Sequence, residues 1–202
     1  MATTRKWIAL LAVIFVGCVG CNRTVLQSPV DAASFVGSLD TEGFSLDLPV
    51  YDNLQEMTEE ADLIVKGSVS NSPESYDAGD DITNSLYTVT VNSVLKGTES
   101  KTVAVMQMGE PTSDDYETKL RLGKNYLLFL TKAFTRSTEQ GDQTVYAAIG
   151  VEQGVFEIAK TGALKAYSRI GMSTKIDGKN ETDFSKTVAV QVEKEHKSVA
   201  AQ

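Results

Sequence analysis

Histidine and cysteine are nearly missing from this chain, which has 1 His and 2 Cys in 202 residues. That scarcity excludes most zinc sites, haem ligation and any disulfide framework. Proline is scarce as well, at 4 residues against 15 glycines, so the chain is neither a fibrous repeat nor a low-complexity tail. Basic residues are in the minority: 19 Lys and Arg face 27 Asp and Glu, a formal net charge of −8. A chain this acidic has no overall electrostatic footprint for nucleic acid. What is left is ordinary, 42% hydrophobic and 23% charged, the composition of one globular domain with a real core.

No hydrophobic run is long enough to span a membrane as a helix. The longest, residues 7–17, falls well short of the ~20 needed. It follows Arg5 and Lys6, and a basic start with a short apolar core reads as an export signal. Both cysteines, Cys18 and Cys21, stand at its end, each directly after a glycine. Phe15-Val16-Gly17-Cys18 and Cys18-Val19-Gly20-Cys21 resemble the lipobox of bacterial lipoproteins. The resemblance implies that one cysteine is diacylated and becomes the new amino terminus. Cys18 fits better at the outer position, while Cys21 is followed by the polar Asn22 typical of a tether; Cys18 is preferred and Cys21 is the alternative. A plain secretory signal with incidental or mutually paired cysteines is the blander reading. Against it, the chain has no cysteine anywhere else.

Loss of the first 17 residues would leave 185, with 17 basic against 27 acidic residues and a net charge of −10. By net charge such a surface does not adhere to anionic lipid, so the acyl group must supply the attachment. Residues 18–50 carry Ser, Asp, Gly and Pro with few periodic apolar positions and read as a tether. Within it, residues 44–48 alternate like a short edge strand. Residues 51–202 read as a single domain.

From residue 51 the pattern sharpens. Asp52 or Asn53 is placed to cap a short helix bearing Leu54, Met57 and Ala61 on one face. Strands are expected at residues 63–69, with Gly67 marking a bend or bulge, and at 86–95, 102–108, 126–130, 145–151, 154–158 and 164–170. Tyr126-Leu127-Leu128-Phe129-Leu130 is apolar on both faces, which argues a central strand. Residues 71–85, 109–118 and 135–143 read as polar loops. Strands linked by loops and not by helices indicate an all-β barrel or sandwich. Residues 183–199 place Phe184, Val188, Val192 and Val199 at helical spacing, although Val188, Val190 and Val192 also alternate.

Four segments, residues 61–69, 87–97 (ending Val-Leu-Lys-Gly), 122–130 and 150–158, together resemble uncharacterised bacterial surface lipoproteins and, more distantly, netrin-like OB-fold modules. That resemblance implies an OB-like Greek-key barrel of five to six strands, with a short N-terminal helix and a C-terminal helix at its flanks. Netrin-like modules include the tissue inhibitors of metalloproteinases. Their inhibition uses an amino-terminal cysteine on the protease zinc and several disulfides, which this chain does not offer, so no functional residue is transferred.

Chemistry is sparse. His196, between Glu195 and Lys197, reads as a solvated histidine, and without a second base no nucleophilic triad can be built. Asp77, Asp80 and Asp81 surround Gly79 in a manner suggestive of calcium ligation but lack the closing glutamate of an EF-hand loop. A solvated acidic loop is the simpler reading, as it is for Asp114, Asp115 and Glu117. The sequons at Asn22 and Asn180 mean only surface exposure. Tyr87, Tyr126 and Tyr146 lie on expected strands, where aromatic residues either stack ligands or pack the core; the acidic balance favours the core. The expectation is a lipid-anchored cell-envelope protein, held to the membrane by its acyl group. It would be a non-enzymatic binding module that needs no cofactor and whose protein or small ligand is unknown. The alternatives are an extracytoplasmic hydrolase using paired carboxylates among Asp77, Asp80, Asp81, Asp114, Asp115 and Glu117, and a protease-inhibitor-like module.

Overall fold

The computed structural model describes residues 38–40, 43–45, 49–77, 83–98, 101–112 and 118–200. The export segment with Cys18 and Cys21 lies outside the described residues. The chain divides into two compact units, residues 1–45 and 46–202. In the first, β1 (Ser38–Asp40) and β2 (Gly43–Ser45) pair antiparallel, with Leu39 opposite Phe44.

The second unit is mostly β. It opens with helix α1 (Leu54–Glu60), capped by Asn53, whose side chain accepts from Glu56 N. Strand β3 (Leu63–Val69) follows, then β4 (Glu74–Asp77) and the 14-residue β5 (Thr83–Lys96). Next come β6 (Thr102–Met108), the equally long β7 (Asn125–Thr138), β8 (Gly141–Ala148), β9 (Val155–Ile158) and β10 (Leu164–Ala166). Helices α2 (Gly171–Ile176) and α3 (Glu181–Ala200) close the chain.

The sheet runs β10-β9-β7-β3-β5-β6-β8, with β4 also on β5, making eight strands. A further β7–β8 pairing returns the path to β7, so five strands form an OB-like Greek-key ring in which only β6 and β8 run parallel. The ring is not strictly closed, because β6 and β8 share only the register Ala104–Met106 against Val145–Ala147. β9 and β10 extend the sheet beyond the five to six strands expected.

Alternation sorts the side chains. All five ring strands send alternate residues into one interior cluster, among them Val65, Val89, Val105, Leu128 and Ala148. On the outside, Ile64, Leu127, Phe129 and Phe156 pack beneath Met57 of α1, Ile176 of α2 and Phe184, Val188 and Val192 of α3. This double burial is why 126–130 reads as continuously apolar. A separate outer cluster, Leu86, Ala104 and Val145, has no helix over it among the described residues. The C-terminal segment is a helix and not a strand: Asn180 Oδ1 accepts from the amides of Thr182 and Asp183 at its start. Among the described residues no helix is long and apolar enough to cross a membrane.

Three local expectations need correction. The stretch taken as a loop before residue 86 contains β4 and the first turns of β5 pairing, Glu74 to Asp77 opposite Leu86 to Thr83. Residues 135–143 are not a loop: β7 and β8 stay paired to Thr138 and Gly141, leaving Glu139 and Gln140 as the turn. Gly141 takes φ 111, which glycine adopts freely. Residues 164–170 hold only a three-residue strand before α2, a helix with no side-chain cap and hence little local signature.

Candidate functional site

The three strand tyrosines belong to the interior. Tyr87 and Tyr126 are buried there, and Tyr146 is half-buried against the same cluster. Tyr126 Oη accepts from Arg121 N at 2.9 Å and lies 3.0 Å from Tyr167 Oη, with the rings edge to face. Burial pushes both hydroxyls upward, and for Tyr167 the bond to Tyr126 adds to the rise, so neither is a proton donor or acid near neutral pH. Their role is packing. Gln107 closes that end of the interior: its amide donates to Thr118 O at 3.0 Å and accepts from Leu120 N at 2.7 Å.

The candidate carboxylates are not brought together by what is described. Asp77 ends β4 and is exposed, whereas Asp80, Asp81, Asp114, Asp115 and Glu117 lie outside the described residues. Among the described residues no group of three or more His, Cys, Asp or Glu is placed to hold a metal. Glu56, Glu59 and Glu60 do line a hollow of about 390 Å³ beside Tyr51. Burial, with Glu60 adding, pushes the Tyr51 hydroxyl up to about 12. His196 is exposed and edges a groove of about 500 Å³ between α3 and the C-terminal half of β5. At the side of that groove Lys96 is committed to structure: its Nζ donates to Thr58 O at 2.7 Å, at the end of α1, and pairs with Glu195 Oε1 of α3 at 2.7 Å.

The third cluster is arranged differently. Leu86, Ala104 and Val145 face outward from β5, β6 and β8, yet their exposures are only 4%, 2% and 0%. Two aromatic side chains from opposite directions cover them. Tyr76 comes from β4, and Phe134 from the distal half of β7, where it stands opposite Val145. Their rings stack with centroids 5.3 Å apart and planes 19° from parallel. Beside the stack, Arg136 Nη1 approaches Glu74 Oε2 at 3.6 Å, and Arg136 Nε donates to Gln143 at 2.8 Å. The β4 arm and the β7–β8 hairpin thus meet over the outer face of β5 and β6. In OB-type barrels, this sheet face and the two flanking connections are where ligands bind.

Sequence reasoning missed both aromatics, because it placed Tyr76 in a loop and ended the strand before Phe134. Neither left a signal: the face that carries Phe134 also carries Lys132, Arg136 and Thr138, so no apolar alternation marks the strand. The chain is therefore an OB-like barrel with an aromatic-roofed outer face; no family model matches it, and no curated protein does so either.

Proposed function

We propose that this is a lipid-anchored cell-envelope protein whose barrel is a non-enzymatic binding module, with the outer face of β5, β6 and β8 as its ligand surface. One observation carries the choice of face. It is the apolar patch of Leu86, Ala104 and Val145, roofed by two half-buried aromatic side chains where the other outer patch is sealed by three helices. Two rings on extended hairpins can part at the expense of one stack, worth about 0.5–1.5 kcal/mol beyond its buried area, and one ion pair worth about 1 kcal/mol or less. The helix-covered patch has no such seam. Aromatic walls over an apolar floor suit a ligand with a flat apolar face, and the polar rim of Glu74, Arg136 and Gln143 supplies orientation.

The test is a photo-cross-linking side chain at Thr88, which lies on the outer face of β5 opposite Ala104, compared with one at Lys194 on α3. In intact envelopes, Thr88 should yield a discrete adduct that Tyr76→Ala with Phe134→Ala abolishes, while Lys194 should not. Equal adducts from both positions, or none from Thr88, would remove this face from the reading.

A further inference from the structure

The charge of this protein is unevenly placed. Residues 159–180, from the β9–β10 turn to the start of α3, hold Lys160, Lys165, Arg169, Lys175 and Lys179 against a single carboxylate, Asp177. The rest of the chain carries 14 basic and 26 acidic residues. This basic stretch folds back on itself along one edge of the sheet. Ala163 bridges Asn180, Leu164 N donates to Lys179 O at 2.8 Å, and Gly178 N donates to Leu164 O at 2.7 Å. All five cations are exposed and none forms an ion pair among the described residues, although Lys175 Nζ donates to Asp52 O at 2.8 Å and Lys179 Nζ lies 5.8 Å from the centroid of the Phe184 ring. The neighbouring carboxylates are engaged elsewhere: Asp177 Oδ1 accepts from Ala166 N, Glu157 pairs with Lys124, Glu181 with Lys66 and Asp183 with Lys186.

Two further features lie on the same edge. Ile170, between Arg169 and α2, is 46% exposed, and Val50 is 50% exposed, two of five large apolar side chains left in solvent among the described residues. They belong to one locality. A Cβ added at Gly171 would stand 3.0 Å from Val50 Cγ1, and Met172 N donates to Tyr51 O. Gln153 Nε2 fixes the adjoining Pro49 carbonyl at 2.7 Å. The described part of this unit therefore begins, at Pro49 and Val50, beside the basic edge.

We propose that the β10–α2 edge is the membrane-facing surface of the domain, seated on anionic lipid headgroups with Ile170 and Val50 at the interface. The proposal rests on the lipid-anchored reading. An acyl chain holds the domain near the bilayer, so a weak electrostatic contact acts at high effective concentration. Net charge argued against any such attraction; its distribution supplies one locally. Val50 also lines the hollow that holds Glu56, Glu59 and Glu60 of α1, so the contact stops at Val50. A bilayer under this edge orients the domain, and the roofed face of β5 and β6 is on a different part of the barrel, away from β10.

The test uses the chain from residue 18 with Cys18→Ser and Cys21→Ser, so that no acyl group contributes. Vesicles of phosphatidylcholine with and without phosphatidylglycerol are sedimented at low and high salt. Binding should need phosphatidylglycerol and vanish at high salt. Replacing Lys160, Lys165 and Arg169 by Gln should weaken it about a hundredfold, taking roughly fivefold per cation near a charged surface. The same change at Lys186, Lys194 and Lys197 on α3 should leave it within about threefold, with unchanged melting curves in both variants. Equal binding to neutral vesicles, no binding, or equal losses in the two variants overturns the proposal. So does binding to polyglutamate but not to vesicles, which would assign the edge to an acidic protein. Lipidation is measured independently by intact mass, so a failed vesicle test and a failed anchor are told apart.

Discussion

Glu181 shows how a single carboxylate ties the C-terminal helix to the barrel. Burial alone would raise its pKa. The Lys66 ammonium at 2.9 Å, with hydrogen bonds from Ser185 and Thr182, outweighs burial and holds the carboxyl below its usual range. A depressed folded-state pKa stabilises fully above the unfolded value and is lost as pH falls through the folded one. Glu181→Gln should therefore cost about 1 kcal/mol at neutral pH, and the gap to wild type should close in acid, as read from urea midpoints. A gap that persists at low pH would trace the loss to shape and not to charge. Gly67 was legible as a bend from the sequence alone. The structure places a register shift between Lys66 and Gly67, and an added Cβ would meet Thr90 O at 2.5 Å and Val89 Cγ1 at 2.6 Å. Gly67→Ala should cost about 3 kcal/mol in urea unfolding. Gly123→Ala should cost about 1, since only its positive φ resists and nothing lies within 4 Å. No such reading was possible for the Lys66–Glu181 pair, because 114 residues of chain lie between its members.

Elements with a strong period were readable, and those defined by distant partners were not. Helix α3 repeats Phe184, Val188 and Val192 at helical spacing, and all three are buried against the outer sheet, with Phe184 6.5 Å from Phe156 between ring centroids. Val188→Ala should cost about 2 kcal/mol through lost burial and the cavity left behind. Val190→Ala, at a position 52% exposed on the same helix, should stay within about 0.5. Comparable losses at both would mean that the helix buries a second face in solution. β4 left no such trace. Glu74-Ser75-Tyr76-Asp77 is polar enough to pass for a loop, and it becomes a strand only because β5 offers a free edge opposite residues 83–86. The distal β7–β8 hairpin was likewise hidden by Thr, Ser and Gln, since its exposed faces need no apolar alternation. The candidate face depends on these two illegible elements, which is why the barrel could be read from sequence while its outer roof could not.

At the scale of the barrel, the ring is joined, without strict closure, through β6 and β8, strands 33 or more residues apart that touch over three positions, and no local pattern announces such a pairing. The proposed anchor lies at the other end of the chain. On the lipid-anchored reading, one of the two cysteines after the short apolar run would hold the domain at the bilayer, and the exposed cations gathered at one edge would set which side faces it. Diacylation of one cysteine has a definite signature. Protein extracted from membranes should be lighter by the leader and heavier by a diacylglycerol-sized increment. Cys18→Ala should abolish that increment and leave the precursor uncleaved, while Cys21→Ala should retain it. The reverse outcome moves the anchor to Cys21 and shortens the mature chain by three residues, without disturbing the geometry at Val50. An unmodified mass in the medium ends the lipoprotein reading. The basic edge would then face solvent, and a partner for the Tyr76–Phe134 face would have to be sought outside the cell.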